Sequence, residues 1–110
     1  MWAAKDNGSN INWANAKGYC ENYRGGGYTD WRMPTQDELA GLYDSSKIRI
    51  TVCGFNAGIT ELLDLTCSWV WASETRGSDA AGFGFGIGVK IWSPQPDGDV
   101  NRALPVRAGK

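Results

Sequence analysis

The chain has 110 residues, 11 basic against 12 acidic side chains, a net charge of −1 and no run of like sign; that bounds one domain, residues 1–110, with no nucleic-acid footprint and no stretch near the ~18 apolar residues that membrane insertion needs. The absence of histidine excludes Ser-His-Asp and Cys-His catalysis, histidine zinc sites and a histidine general base, and three cysteines cannot complete a four-cysteine zinc site. Carboxylate pairs and cysteine redox chemistry stay open, while six tryptophans and fifteen glycines point to a loop-rich domain with a few large aromatic anchors, expected to need no cofactor and no metal.

In chain order, Met1 to Ala4 reads as the end of a strand, and Lys5 to Asn10 as a turn marked by Asn7-Gly8. Asn7-Gly8-Ser9 matches a glycosylation sequon formally and is read as turn. A start inside a strand, with no signal-peptide pattern, implies sequence upstream of Met1. Asn12 is placed to cap a helix whose Trp13, Ala16, Cys20 and Tyr23 share one face, with Gly25-Gly26-Gly27 ending it.

Next comes the most informative stretch, Gly27 to Asp44. Thr35 and Glu38 have the spacing of a capping box, and Pro34 and Leu39 occupy the two positions of a hydrophobic staple. Leu39, Leu42 and Tyr43 mark one face, which predicts a helix from Gln36 to Tyr43. Met33 precedes a proline and is pushed out of helical space, so Trp31 and Arg32 enter from an extended segment. They read as a core ring beside a guanidinium that ties loop carbonyls together.

Ser45 to Thr66 has weak periodicity and reads as an ordered loop containing a β-prone run, Ile48 to Val52, a turn at Asn56 to Gly58, and a short helical turn at Ile59 to Leu65. Trp69-Val70-Trp71-Ala72 is apolar on both faces, as a central strand is. From Gly82 to Val89 the alternation is strict: Phe83, Phe85, Ile87 and Val89 face one way and four glycines the other. One strand is expected there, continuing to Trp92, with a large ring lying across its glycine face. The glycine spacing is not that of a phosphate-cradling loop. Ser93 to Gly98 is a turn, and Ala103 to Arg107 is the last strand, with Pro105 marking an edge or leaving one amide outside the ladder.

The text Asp30-Trp31-Arg32-Met33-Pro34-Thr35 resembles the DWRLPT signature of the Lcl C-terminal-domain-like family, with Met33 in place of leucine. Met1-Trp2, Trp13 to Ala16 with Tyr19-Cys20, Trp71-Ala72-Ser73 and Leu104 to Arg107 extend the resemblance over nearly the whole chain. The Arg-x-Pro-Thr helix start is also similar to the formylglycine-generating branch of the C-type lectin-like fold. The resemblance implies an α+β, C-type lectin-like domain used for binding: two helices packed on a small, twisted, mainly antiparallel sheet whose first and last strands bring the termini together. Its structural signature is Trp31, Arg32, Pro34, Thr35 and Glu38, and it implies no catalytic residue set.

Cys53 and Cys67 bracket a 15-residue loop, where a disulfide would contribute on the order of 3 kcal/mol by chain entropy. A reactive pair of the formylglycine-generating type is the alternative reading; Cys20 reads as a buried free thiol. A structural disulfide implies an oxidising compartment, meaning periplasm, cell surface or secretion. Asp97, Asp99 and Asn101 resemble the opening of a calcium loop, but Arg102 stands where glycine is needed and no acid closes it. Gln95-Pro96-Asp97 spells a galactose-type lectin tripeptide without its Trp-Asn-Asp partner, and reads as a turn. Glu74, Arg76 and Asp79 read as solvated loop charge.

Taken with these readings, the resemblance implies a non-catalytic, adhesin-like recognition module that binds a protein or carbohydrate ligand at a bacterial surface. A formylglycine-generating-type oxidase and a purely structural module are the alternatives. The ligand is expected on loops between the later strands, at Arg76, Asp79, Trp92, Gln95, Asp97, Asp99 and Asn101, with Trp92 the leading residue.

Overall fold

The first helix starts where its cap is encoded: Asn12 Oδ1 accepts from the Asn15 N–H at 2.9 Å, and α1 runs over Trp13–Glu21. The structure, a computed structural model, describes residues 2–3, 5–8, 11–51, 54, 56–59, 65–86, 88–94 and 101–107. Beyond α1, Gly25–Gly27 forms a 3₁₀ turn in which Gly26 takes φ +68°, a left-handed conformation that favours glycine.

The second helix, α2, spans Gln36–Ala40 and opens with the expected capping box: the Glu38 N–H donates to Thr35 Oγ1 at 3.1 Å and the Thr35 N–H donates to Glu38 Oε1 at 2.9 Å. Pro34 and Leu39 are both buried. The helix stops at Gly41, short of the expected Tyr43. The Leu42 N–H closes a tight turn on the Leu39 carbonyl at 3.0 Å, and Tyr43 leaves to begin a strand. Thr35→Ala is expected to cost about 1 kcal/mol in urea unfolding, the loss typical of a missing cap. An unchanged midpoint would show that the hydroxyl does not hold this end.

The strands are β1 (Tyr43–Ile50), β2 (Asn56–Ile59), β3 (Trp69–Arg76), β4 (Asp79–Gly84), β5 (Val89–Pro94) and β6 (Asn101–Arg102). Strands β1 and β2 pair antiparallel, which replaces the loop and the Asn56 to Gly58 turn read from the sequence. Gly58 is there for close approach: a Cβ would lie 2.8 Å from the Asp44 carbonyl oxygen and from the Tyr43 ring. Residues 60–64 of the expected helical turn lie outside the described residues. The other sheet has the order β5-β4-β3-β6, with β3 and β6 parallel and the remaining pairs antiparallel. The Trp69 strand is therefore interior, as expected.

The Gly82 to Val89 run is two strands rather than one. It reverses after Gly84, where the Gly88 N–H returns to the Gly84 carbonyl at 2.9 Å and Gly88 takes φ +73°. The expected ring over the glycine face is present on β4, since a Cβ on Gly84 would meet the Trp69 ring at 2.7 Å. The closing strand also differs. β6 ends at Arg102 and lies at the edge of its sheet, Pro105 is buried, and Val106 forms isolated antiparallel bridges to both Trp2 and Arg32. That bridge still brings the two ends of the chain together.

Two buried clusters alternate along the interior strands. Val70, Ala72, Ala81 and Phe83 join Leu39, Trp31, Ile59 and Phe85 on one side, while Trp71 and Ala80 join Ala16, Cys20 and Met33 on the other. Because successive strand residues point to opposite faces, α1 and α2 cover opposite faces of the four-stranded sheet. Buried polar groups stitch the layers: Trp13 Nε1 donates to the Ala72 carbonyl at 2.9 Å, Trp71 Nε1 to that of Ile11 at 2.7 Å, and Gln36 Nε2 to those of Gly82 and Ile91 at 3.1 and 3.0 Å. The result is an α+β domain of two helices with two small, mainly antiparallel sheets.

Candidate functional site

Each residue of the Asp30 to Thr35 signature has a structural task. Asp30 accepts from Arg107 Nε and Nη2 at 2.7 and 3.0 Å, and this hydrogen-bonded guanidinium holds its carboxyl below the usual carboxylate range. Trp31 is buried, meets Tyr23 edge to face at 4.8 Å, and donates from Nε1 to the Gly25 carbonyl at 3.1 Å. Arg32 forms a two-pronged pair with Glu38, Nη1 to Oε1 at 2.8 Å and Nη2 to Oε2 at 2.7 Å, and reaches the Met33 carbonyl at 3.3 Å. The expected carbonyl contact is thus present, but the main partner is the capping-box carboxylate. That guanidinium lowers the Glu38 pKa to about 2.

The signature also plugs into a break in the β3–β4 ladder. Register shifts between Trp71 and Thr75, and there the Ser73 N–H donates to the Pro34 carbonyl at 2.7 Å while the Glu74 carboxylate accepts from the Gln36 N–H at 3.0 and 3.2 Å. Glu74 is therefore a strand residue at the start of α2 rather than loop charge; a carboxylate there is favoured by the exposed amides of a helix start. An open groove of about 480 Å³ lies beside the signature, lined by Trp2, Arg32, Glu38, Leu42, Val106 and Arg107. Both of its guanidiniums are bonded to carboxylates.

Of the expected ligand-binding residues, the fold brings Arg76, Asp79 and Trp92 to one end of the four-stranded sheet. Arg76 stands opposite Asp79 in the β3–β4 ladder, and Trp92 opposite Ala81 in the β4–β5 ladder, which puts Arg76 and Trp92 on one face. The Arg76 guanidinium carbon sits 4.3 Å from the centroid of the Trp92 ring, within cation–π range. Trp92 is 36 % exposed and does not lie buried over the glycine face. Gln95, Asp97 and Asp99 lie outside the described residues. Asn101 pairs through its backbone with Trp69, at the opposite end of β3 from Arg76 and roughly 23 Å away at strand rise.

Sequence reasoning missed a second surface stack, Arg107 at 3.7 Å over Tyr28. Only residue types could have hinted at it, because the partners are far apart in the chain. Ile48 and Ile50 on β1 are also exposed. Cys20 is a buried free thiol, and burial pushes its pKa up to about 12. Cys67 is buried, and Cys53 lies outside the described residues. Among the described residues no cluster of three acidic or thiol groups could hold a metal ion, and no helix is long and apolar enough to cross a membrane.

Compared with known families, the chain matches the Lcl C-terminal domain over residues 1–107. No curated protein and no solved structure matches it.

Proposed function

The chain belongs to the Lcl C-terminal domain family, and from that premise we propose that it is a non-catalytic, adhesin-like recognition module on a C-type lectin-like scaffold, binding a protein or glycan partner at a bacterial surface or in secretion. The observation that carries this reading is Trp92, an exposed ring on β5 held by Arg76, whereas Arg32, Glu38 and Asp30 of the signature stretch are already engaged in ion pairs. Exposed tryptophan and arginine dominate binding energy at recognition surfaces. The joined ends of the chain at Trp2 and Val106, with two helices on the sheet, support the lectin-like assignment.

The test is binding of wild type and Trp92→Ala to a glycan array and in a bacterial-surface pull-down, with circular dichroism to establish folding. Trp92→Ala is expected to lose most of the binding while staying folded. A folded variant that binds like wild type would move the site elsewhere.

The oxidase alternative rests on Cys53 and Cys67 as a reactive pair; Cys20 is buried, with its pKa pushed up to about 12. We propose that Cys67 pairs with Cys53 as a structural bridge, in keeping with a periplasmic, cell-surface or secreted setting. Mass spectrometry of unreduced protein is expected to find a Cys53–Cys67 peptide, with Cys20 alkylated only after unfolding. A bridge to Cys20, or thiol-dependent oxygen consumption, would overturn this assignment.

A further inference from the structure

The two arginine–aromatic stacks on the surface differ in one respect. Arg107, over Tyr28, is neutralised by Asp30. Arg76, over Trp92, has no ion-pair or hydrogen-bond partner among the described residues, although Asp79 stands directly across the ladder. The Trp92 indole N–H is likewise unbonded there, whereas Trp13, Trp31 and Trp71 each donate to a backbone carbonyl. A guanidinium stacked by its face keeps its in-plane N–H donors for another group and has already lost much of its rotamer freedom. Among the described residues, this end of the sheet thus presents a stacked guanidinium and an indole N–H as unbonded donors beside an exposed ring, with the Asp79 carboxylate across the ladder.

From this geometry we propose that Arg76 receives a carboxylate side chain from an extended acidic segment of a partner protein, while Trp92 covers an apolar residue next to that carboxylate. The proposal rests on the recognition reading above and narrows its ligand from protein or glycan to protein. A planar carboxylate matches the guanidinium fork, and hydrogen bonds between opposite charges are the stronger kind. A pyranose would need an open indole face to lie flat on, and Arg76 occupies one. Tryptophan and arginine together are also the residues most enriched at protein hot spots.

The test is selection of a random peptide library displayed on phage against the immobilised full chain, followed by affinity measurement on the synthetic winning peptide. Expected are peptides with Asp or Glu at one fixed position beside an apolar residue, and affinity falling about tenfold or more with Arg76→Gln, Arg76→Ala or Trp92→Ala. Added salt should weaken binding to wild type but barely affect Arg76→Gln. The melting temperature of each variant is expected to stay close to wild type, because neither side chain is hydrogen-bonded within the described fold. Selected peptides without an acidic position, or acidic peptides bound equally by Arg76→Gln, would overturn the proposal. If no peptide is selected but a glycan binds in a manner that depends on Arg76 and Trp92, the ligand class is wrong and the site stands. If nothing that binds depends on either residue, both the proposal and the recognition site fall.

Discussion

Trp31→Ala is expected to lower the unfolding free energy by about 3–5 kcal/mol, the range for deleting a buried large aromatic. Three losses add in the same direction. The side chain is 5 % exposed in the cluster that includes Leu39 and Val70, so its removal leaves a cavity in that cluster. Its edge-to-face contact with Tyr23 disappears, as does the hydrogen bond that anchors the 3₁₀ turn through the Gly25 carbonyl. Against the ~5–15 kcal/mol that holds a typical domain together, this is a large fraction. Trp31→Phe retains a ring against Tyr23 and gives up the N–H donor, so it should cost much less. Urea unfolding of both variants distinguishes the contributions; a Trp31→Ala loss below about 1 kcal/mol would mean the signature ring is not a structural anchor.

Glu38→Ala is expected to cost about 2 kcal/mol, more than Thr35→Ala, because one carboxylate does two jobs. It accepts from the Thr35 N–H in the capping box, worth about 1 kcal/mol, and it holds the Arg32 fork. The pair's side chains are 43 % and 34 % exposed, so solvent screening limits the ion-pair share to about 1 kcal/mol. The pH dependence follows from the lowered pKa. Glu38 should titrate at its ordinary value of 4.5 when unfolded and at about 2 when folded, so its contribution is complete above pH 4.5 and is lost as pH falls toward 2. Asp30, held down by Arg107, works in the same direction. Glu38→Gln should therefore show a shallower decline in stability between pH 4.5 and 2 than wild type. Parallel declines would show that Glu38 is not depressed in the folded state.

The parts of the fold legible in the sequence were those set by neighbours in the chain. Asn12 and Thr35 cap their helices because a cap needs only residues three positions apart. The misread parts depended on distant partners. Tyr43 sits at helical spacing from Leu39, yet it pairs with Ile59 in a strand and meets Phe83 edge to face at 6.2 Å. The alternation from Gly82 to Val89 concealed a chain reversal, because Phe85 stays buried inside the turn, its N–H donating to the Ser68 carbonyl at 2.7 Å. Gly58, which looked like a turn residue, is a glycine that admits Tyr43, Asp44 and Ile48. At the candidate site, exposed Trp92 was legible by residue type. Arg76 looked like solvated loop charge, because its ring partner is brought to it only by β4 lying between β3 and β5.

Trp31 and Trp71 turned inward and Trp92 turned outward are the division of labour on which the functional reading depends. Hydrogen exchange at the indole N–H groups, followed by NMR and assigned with single Trp→Phe substitutions, tests it most directly and needs no ligand. The Trp31 and Trp71 N–H groups, bonded to the Gly25 and Ile11 carbonyls, should exchange orders of magnitude more slowly than a free indole. The Trp92 N–H, unbonded among the described residues on an exposed ring, should exchange at nearly the free rate. A strongly protected Trp92, or a Trp31 that exchanges as fast as a free indole, would contradict this arrangement.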